Sequence, residues 1–300
     1  MKTLKDLTII IVTFNTPKKI ILECLRSIKN NDVKILIIEN SNIFLHRDVV
    51  ESEFSNVDIL CTGENLGYGK GNNFGIQHTK SDYALILNPD VICDENFFSN
   101  VHVVIDEAKN FSIIGCQYLL DKIFMPAGFF DKKKNIEFIK DYQSNKIEGL
   151  TKVDWVTGCS MLLNLKKFNN SKVFDENFFL YFEEFDLCNT LIKNNKNIFT
   201  TDKLKINHLG FKSSIGENQI ENLNIMNLKD WHYMWSSFYF YKKNFNYFYA
   251  LKKLLGKFLK SFLKTVFYTI TFQKNKKNKY FHRFLGLLHS ITGRASSFRG

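Results

Sequence analysis

Three hundred residues with 45% apolar content and 30 phenylalanines exceed what a disordered chain carries and suit one large domain with an appendage. Six scattered cysteines, none in a CxxC pair, argue against a zinc framework or disulfide scaffold and fit a reducing cytosol. The net charge of +11 is lopsided: residues 229–300 hold 15 Lys/Arg against the one acid Asp230, while residues 1–228 hold 26 basic and 29 acidic residues.

Residues 1–7 run straight into the short apolar stretch 8–12, too short for a signal-peptide core or a membrane span, so export is not expected. Strands are predicted over 7–13 and 33–38, with helical spacing of Ile20, Ile21, Cys24, Leu25 and Ile28 between them. A third strand over 57–61 and a fourth over 83–87 flank a helix over 72–78, which makes βαβ units and a mostly parallel α/β sheet. Ligands of such sheets bind beyond the carboxyl ends of the strands, so Thr13, Glu39 and Asp90 should line one crevice. Beyond residue 113 the pattern is mixed, with short strands over 113–118, 161–165 and 204–208. The lysine-rich stretch 131–149 reads as a surface insertion or mobile loop, and 212–224 as a polar link. Over 250–267, Leu251, Leu254, Leu255, Phe258, Leu259, Phe262, Leu263, Val266 and Phe267 recur at helical spacing with lysines on other faces, a basic amphipathic helix. A basic run over 274–279 and a short apolar segment over 284–288 follow. The organisation expected is a domain over 1–224 and a basic, aromatic-rich helical extension over 225–300.

Three stretches carry chemistry. Residues 65–75 (NLGYGKGNNFG) could bring backbone amides close to a phosphate or sugar, or form only a turn and helix cap; Asn72 stands where a GxGxxG fingerprint needs its third glycine. Asn88-Pro89-Asp90 sets a carboxylate at a strand end, suited to a divalent cation or to a solvated turn. Over 174–187, Glu183, Glu184 and Asp186 crowd among Phe178, Phe179, Tyr181 and Phe182; carboxylates are costly to desolvate, which points to a catalytic base, the other reading being the acidic first turn of a helix.

Six segments in order, 12–15 (VTFN), 38–41 (IENS), 65–75, 87–91 (LNPDV), 155–161 (WVTGCSM) and 174–187, together resemble the family 2 glycosyltransferases of the GT-A fold, in the bacterial rhamnosyltransferase-like branch, over about residues 7–210. The resemblance implies an inverting, metal-dependent transfer of a sugar, rhamnose being one candidate, from a nucleotide-sugar donor to a lipid-linked or growing surface-polysaccharide acceptor. It implies that Thr13 and Asn15 lie beside the nucleotide and that Glu39 takes the place of an aspartate that contacts the base. Asn65, Gly67, Asn73 and Asn88 would shape the donor pocket, Asp90 would bind Mg2+ or Mn2+, and His208 aligns with a histidine found near the metal in some relatives. Gly158 would begin an acceptor-side loop, with Trp155 available to stack on an acceptor sugar. Glu183 and Glu184 would replace a Glu-Asp pair, with Glu184 the general base.

The basic extension has two readings besides packing on protein. Apolar residues in a continuous helical stripe suit the surface of an anionic membrane better than nucleic acid, which places the protein in the cytoplasm, peripheral at the inner face of the cell membrane. A homo-oligomer is compatible with the same stripe. The alternative function is a catalytically weak GT-A-fold protein that serves as a membrane-bound assembly partner in polysaccharide synthesis.

Overall fold

A computed structural model describes residues 6–30, 32–119, 125–168, 172–210 and 219–299. The chain divides into two compact units: Met1–Leu66, Lys70–Phe174 and Leu187–Ser214 form one, and Gly67–Gly69, Asp175–Asp186 and Ile215–Gly300 the other.

The first unit is built on a sheet whose first half is parallel. Strands β1 (Leu7–Thr13), β2 (Lys34–Glu39), β3 (Val57–Cys61) and β4 (Tyr83–Leu87) lie in the order β3-β2-β1-β4, joined by helices α1 (Lys18–Ser27), α2 (Arg47–Glu53) and α3 (Tyr68–Gln77). β1 and β2 read as near-continuous aliphatic runs because helices cover parallel sheets on both faces, and Ile9, Ile10, Ile11, Ile35, Leu36 and Ile37 are all buried. The order continues through β10 (Ser160–Asn164), β6 (Phe111–Tyr118), β11 (Asn197–His208) and β5 (Val91–Cys93). β10 runs antiparallel to β4 and β6, β6 and β11 are parallel, and β5 is antiparallel to β11. Helix α4 (Phe97–Glu107) follows β5; β8 (Leu150–Lys152) pairs with β11, and β7 (Ala127–Gly128) with β9 (Trp155–Val156).

The four parallel strands fall where the hydrophobic runs predict them, within a residue. Three expectations are corrected. Residues 131–149 are not a loop throughout: α5 (Lys132–Gln143) forms there, its first turn capped by the Asp131 side chain accepting the Lys134 amide at 2.9 Å, with Phe138 and Tyr142 buried one turn apart. Helix α3 begins at Tyr68, four residues before its predicted start, because the glycines that read as a loop are its contact face. A Cβ on Gly71 would lie 2.9 Å from Val12 Cγ1, and one on Gly75 2.5 Å from Ile10 Cγ2, so the bare backbone lets the helix sit directly on β1. The strand expected over 204–208 is the end of the twelve-residue β11.

The second unit packs α7 (Gln219–Asn244), α8 (Tyr247–Ile270) and α9 (Lys274–Ile291) around Met234, Phe238, Ala250, Leu254 and Leu287. Residues 211–218 of the expected polar link lie outside the described residues, and from Gln219 the chain is helical. Gly286 sits against α7, where a Cβ would come within 2.2 Å of the Trp231 carbonyl oxygen. Helix α9 joins the basic run and the apolar segment that follow α8 in one element. The amphipathic helix forms with two apolar faces: Leu254 is buried, Leu251 and Phe258 pack beside it, while Leu255, Leu259, Phe262, Leu263, Val266, Phe267 and Ile270 are exposed. Among the described residues no helix is long and apolar enough to cross a membrane.

Candidate functional site

At the carboxyl ends of β1 and β2, where ligands of such sheets bind, register pairs Thr13 with Glu39. Glu39 is only 1% exposed. Its Oε2 accepts the Thr13 hydroxyl at 2.7 Å and its Oε1 accepts the Asn15 amide at 3.4 Å. The structure thus brings Thr13, Asn15 and Glu39 together, with the glutamate bracing the turn after β1. Asn15 itself takes a left-handed backbone, φ 49°, which asparagine tolerates better than most residues. An aspartate at 39 would fall short of this turn by one methylene.

Asn88-Pro89-Asp90 closes β4, tied down by the Asn88 amide donating to the Cys159 carbonyl at 2.9 Å. The Asp90 carboxylate is 1% exposed, and its Oδ1 lies 3.3 Å from His208 Nε2, because β11 runs antiparallel to β5 and sets His208 opposite Val91. The Tyr118 ring stacks on the imidazole with centroids 6.3 Å apart. Beneath them, burial and then the Asp90 charge push the Cys24 thiol up to about 12, so it stays protonated. A carboxylate oxygen and an imidazole nitrogen at paired strand ends fit a divalent cation that completes its shell with diphosphate oxygens and water. Among the described residues no group of three His, Cys, Asp or Glu is gathered for a metal. A cation here would therefore depend on its substrate for part of its shell.

Asn73, expected in the donor pocket, hydrogen-bonds the backbone of Phe174. Its Nδ2 donates to the Phe174 carbonyl at 2.8 Å and its Oδ1 accepts the Phe174 amide at 2.9 Å, so this fully buried amide anchors the start of the 174–187 segment to α3. Asn65 lies in the loop between β3 and α3 and Gly158 in the turn between β9 and β10. The Trp155 ring lies over Gly128, where a Cβ would meet its Cζ2 at 2.5 Å.

The carboxylates of 174–187 belong to the second unit. Gly67, φ 80°, meets this segment: the Tyr68 amide donates to the Phe179 carbonyl at 3.0 Å, and a Cβ on Gly67 would come within 2.2 Å of that oxygen. Tyr181 and Phe182 then take left-handed conformations, φ 68° and 71°, a costly pair for aromatic residues. They are held by ring contacts of Tyr181 with Tyr233 and of Phe182 with Phe240, and by the Ser236 hydroxyl donating to the Leu180 carbonyl at 2.8 Å. The strained turn delivers Glu183 and Glu184 as the first residues of α6 (Glu183–Lys193). Burial and then the neighbouring Glu184 hold the Glu183 carboxyl well above the carboxylate range, and its Oε2 has no hydrogen-bond partner among the described residues. Burial pushes Glu184 up to about 7, opposed by the amides of Glu184 and Phe185 at the helix start. Asp186 is set apart: its Oδ2 accepts Lys243 Nζ at 2.6 Å and its Oδ1 accepts Asn244 Nδ2 at 2.8 Å. Lys243 and Asn244 went unread in the sequence because nothing local links them to a carboxylate 57 residues away.

The chain belongs to glycosyl transferase family 2, whose model matches residues 8–170, the span that carries the parallel sheet and Asp90. It is 26% identical over 203 residues to the low-salt glycan biosynthesis hexosyltransferase Agl10 of Haloferax volcanii, covering 65% of this chain and 64% of that protein. It is likewise 26% identical over 181 residues to the rhamnosyltransferase WbbL of Escherichia coli, covering 52% of this chain and 64% of that protein. The chain thus spans just under two thirds of either relative's length. The fold is GT-A: the mannosyltransferase PcManGT of Pyrobaculum calidifontis, solved with GDP-Man and Mn2+, superposes with a TM-score of 0.53 at 9% identity over 95% of this chain and 87% of that one. GalNAc-T7, solved with UDP, GalNAc and Mn2+, gives 0.53 at 10% identity over 85% and 57%.

Proposed function

We propose that the protein is an inverting glycosyltransferase that moves a hexosyl group from a nucleotide-sugar donor to a hydroxyl of a lipid-linked or growing polysaccharide acceptor, with Glu184 as general base. The observation that carries this reading is that, in a chain of this family, the strained turn at Tyr181 and Phe182 sets Glu184 in the first turn of α6, where burial raises its carboxyl above the usual carboxylate range. A base tuned near the working pH takes a proton in the transition state most efficiently. Glu184 accepts the proton of the acceptor hydroxyl; that oxygen attacks the anomeric carbon, the bond to the diphosphate breaks, and the anomeric configuration inverts. Asp90 and His208 would hold the divalent cation, Mg2+ or Mn2+, which when bound neutralises charge on the departing diphosphate. Thr13, Asn15 and Glu39 would form the floor on the nucleotide side, and Trp155 and Gly158 the acceptor side. Glu183, its proton retained by burial, would keep a second negative charge away from the base.

The exposed row Leu255, Leu259, Leu263, Val266, Phe267 and Ile270 on α8, in a stretch rich in lysine, would rest on an anionic membrane surface and bring the enzyme to its acceptor. The test is release of nucleoside diphosphate from a panel of UDP-, GDP- and dTDP-sugars, dTDP-rhamnose included, in the presence of bacterial lipid extract. Turnover is expected for one donor, to be abolished by EDTA, restored by Mn2+ or Mg2+, and lost in Asp90→Ala and Glu184→Gln. Unchanged turnover in both variants would refute the assignment of both roles.

A further inference from the structure

The turn that presents Glu183 and Glu184 has no regular structure of its own before α6, and its Tyr181 and Phe182 sit in backbone conformations that aromatic residues leave unless held. Besides the Tyr68 amide on the Phe179 carbonyl and Arg299 over the Phe179 ring, a row of α7 side chains holds it. Lys243 Nζ lies 2.7 Å from Asp175 Oδ2 and 2.6 Å from Asp186 Oδ2, so one ammonium joins the two ends of the segment Asp175–Asp186. The Tyr239 hydroxyl donates to the same Asp175 oxygen at 3.1 Å, and Asn244 Nδ2 donates to Asp186 Oδ1. Between those ends, Ser236 holds the Leu180 carbonyl, and Phe178 packs edge-on against Tyr239 with centroids 4.9 Å apart. Ser236, Tyr239, Phe240 and Lys243 recur at three- and four-residue spacing, one stripe of α7 along the whole turn.

From this geometry we infer that Lys243 is a positioning residue for the general base, and that the C-terminal helices are a working part of the catalytic site as well as a membrane tether. The clamp closes the ends of the base-bearing turn on α7 and so fixes where α6 starts. The inference rests on the reading of Glu184 as base, and its test separates the two. In the full chain, with the donor found by the panel above, Lys243→Met should lower kcat for diphosphate release at least tenfold while donor KM moves less than about twofold, and Lys243→Arg should recover most of the loss. Because Lys243→Met leaves Asp186 buried without its cation and risks misfolding, Asp186→Asn combined with Lys243→Met removes the more deeply buried carboxylate with the cation, leaving the less buried Asp175 with its Tyr239 hydrogen bond. That double variant should fold, lose kcat as the single one does, and show faster hydrogen–deuterium exchange over residues 175–186. A folded double variant with wild-type kcat and unchanged exchange would overturn the inference. Faster exchange over 175–186 with Glu184→Gln still fully active would uphold the clamp but remove Glu184 as the base, overturning its catalytic half.

Discussion

Two neighbouring glutamates differ here through burial. Glu184, held near 7, is the group whose ionisation should set the acid limb of the pH profile, with turnover rising as pH passes through about 7. The same shift fixes a sign for stability. The folded-state pKa lies above the ordinary value of 4.5, so between the two the folded chain holds a proton that the unfolded chain has lost, and stability falls as pH rises through that window. Glu184→Gln removes this cost. The variant should lose turnover by roughly 10²–10⁴-fold, yet melt higher than the parent at pH 8 and no higher at pH 4, as read by thermal melts at both pH values. Glu183, still raised, keeps part of the slope. Glu39 makes a contrasting case, since both its oxygens serve the turn after β1. Glu39→Ala should therefore raise donor KM more than it lowers kcat, measured by initial rates across donor concentration.

Elements show why parts of the architecture were open to sequence reading and others closed. β1 to β4 are aliphatic runs of five to seven residues between helical patterns, and no other element satisfies such runs so well. Helix α7 carries aromatic and polar residues all round, because α8, α9 and the 175–186 turn each take a share of its surface, and without a one-sided stripe it gives no amphipathic signal. Helix α3 was half hidden because glycines at a tight helix-to-strand contact look like a loop. The carboxylates of the site were visible as costly charges among aromatics, but Asp186 could not be told from Glu184 until folding brought Lys243 to it. The same blindness covers Asn73, whose role as an anchor needs Phe174, 101 residues away. Asn73→Ala strands two backbone groups of a buried segment and should cost about 2 kcal/mol, visible as a lower midpoint of denaturant unfolding.

At the scale of the molecule, basic charge is concentrated in the helical unit, and so is the exposed apolar face of α8. Leu259→Glu combined with Phe267→Glu alters two exposed positions, so pelleting with anionic liposomes should fall several-fold while the melting temperature holds. Equal pelleting of parent and variant would mean that this face is not the one that meets lipid. Truncation after Asn224 should lower kcat as well as any liposome pelleting, since it removes Ser236, Tyr239, Phe240 and Lys243 from the 175–186 turn. Glycosyl transfer with Glu184 as the base underlies all of these expected outcomes. Its most direct test is the rate of nucleoside diphosphate release by the full chain and by Glu184→Gln across the donor panel with Mn2+ and lipid acceptor. The parent should turn over one donor and Glu184→Gln should lose at least a hundredfold in rate, whereas equal rates for the two proteins would rule out Glu184 as the base.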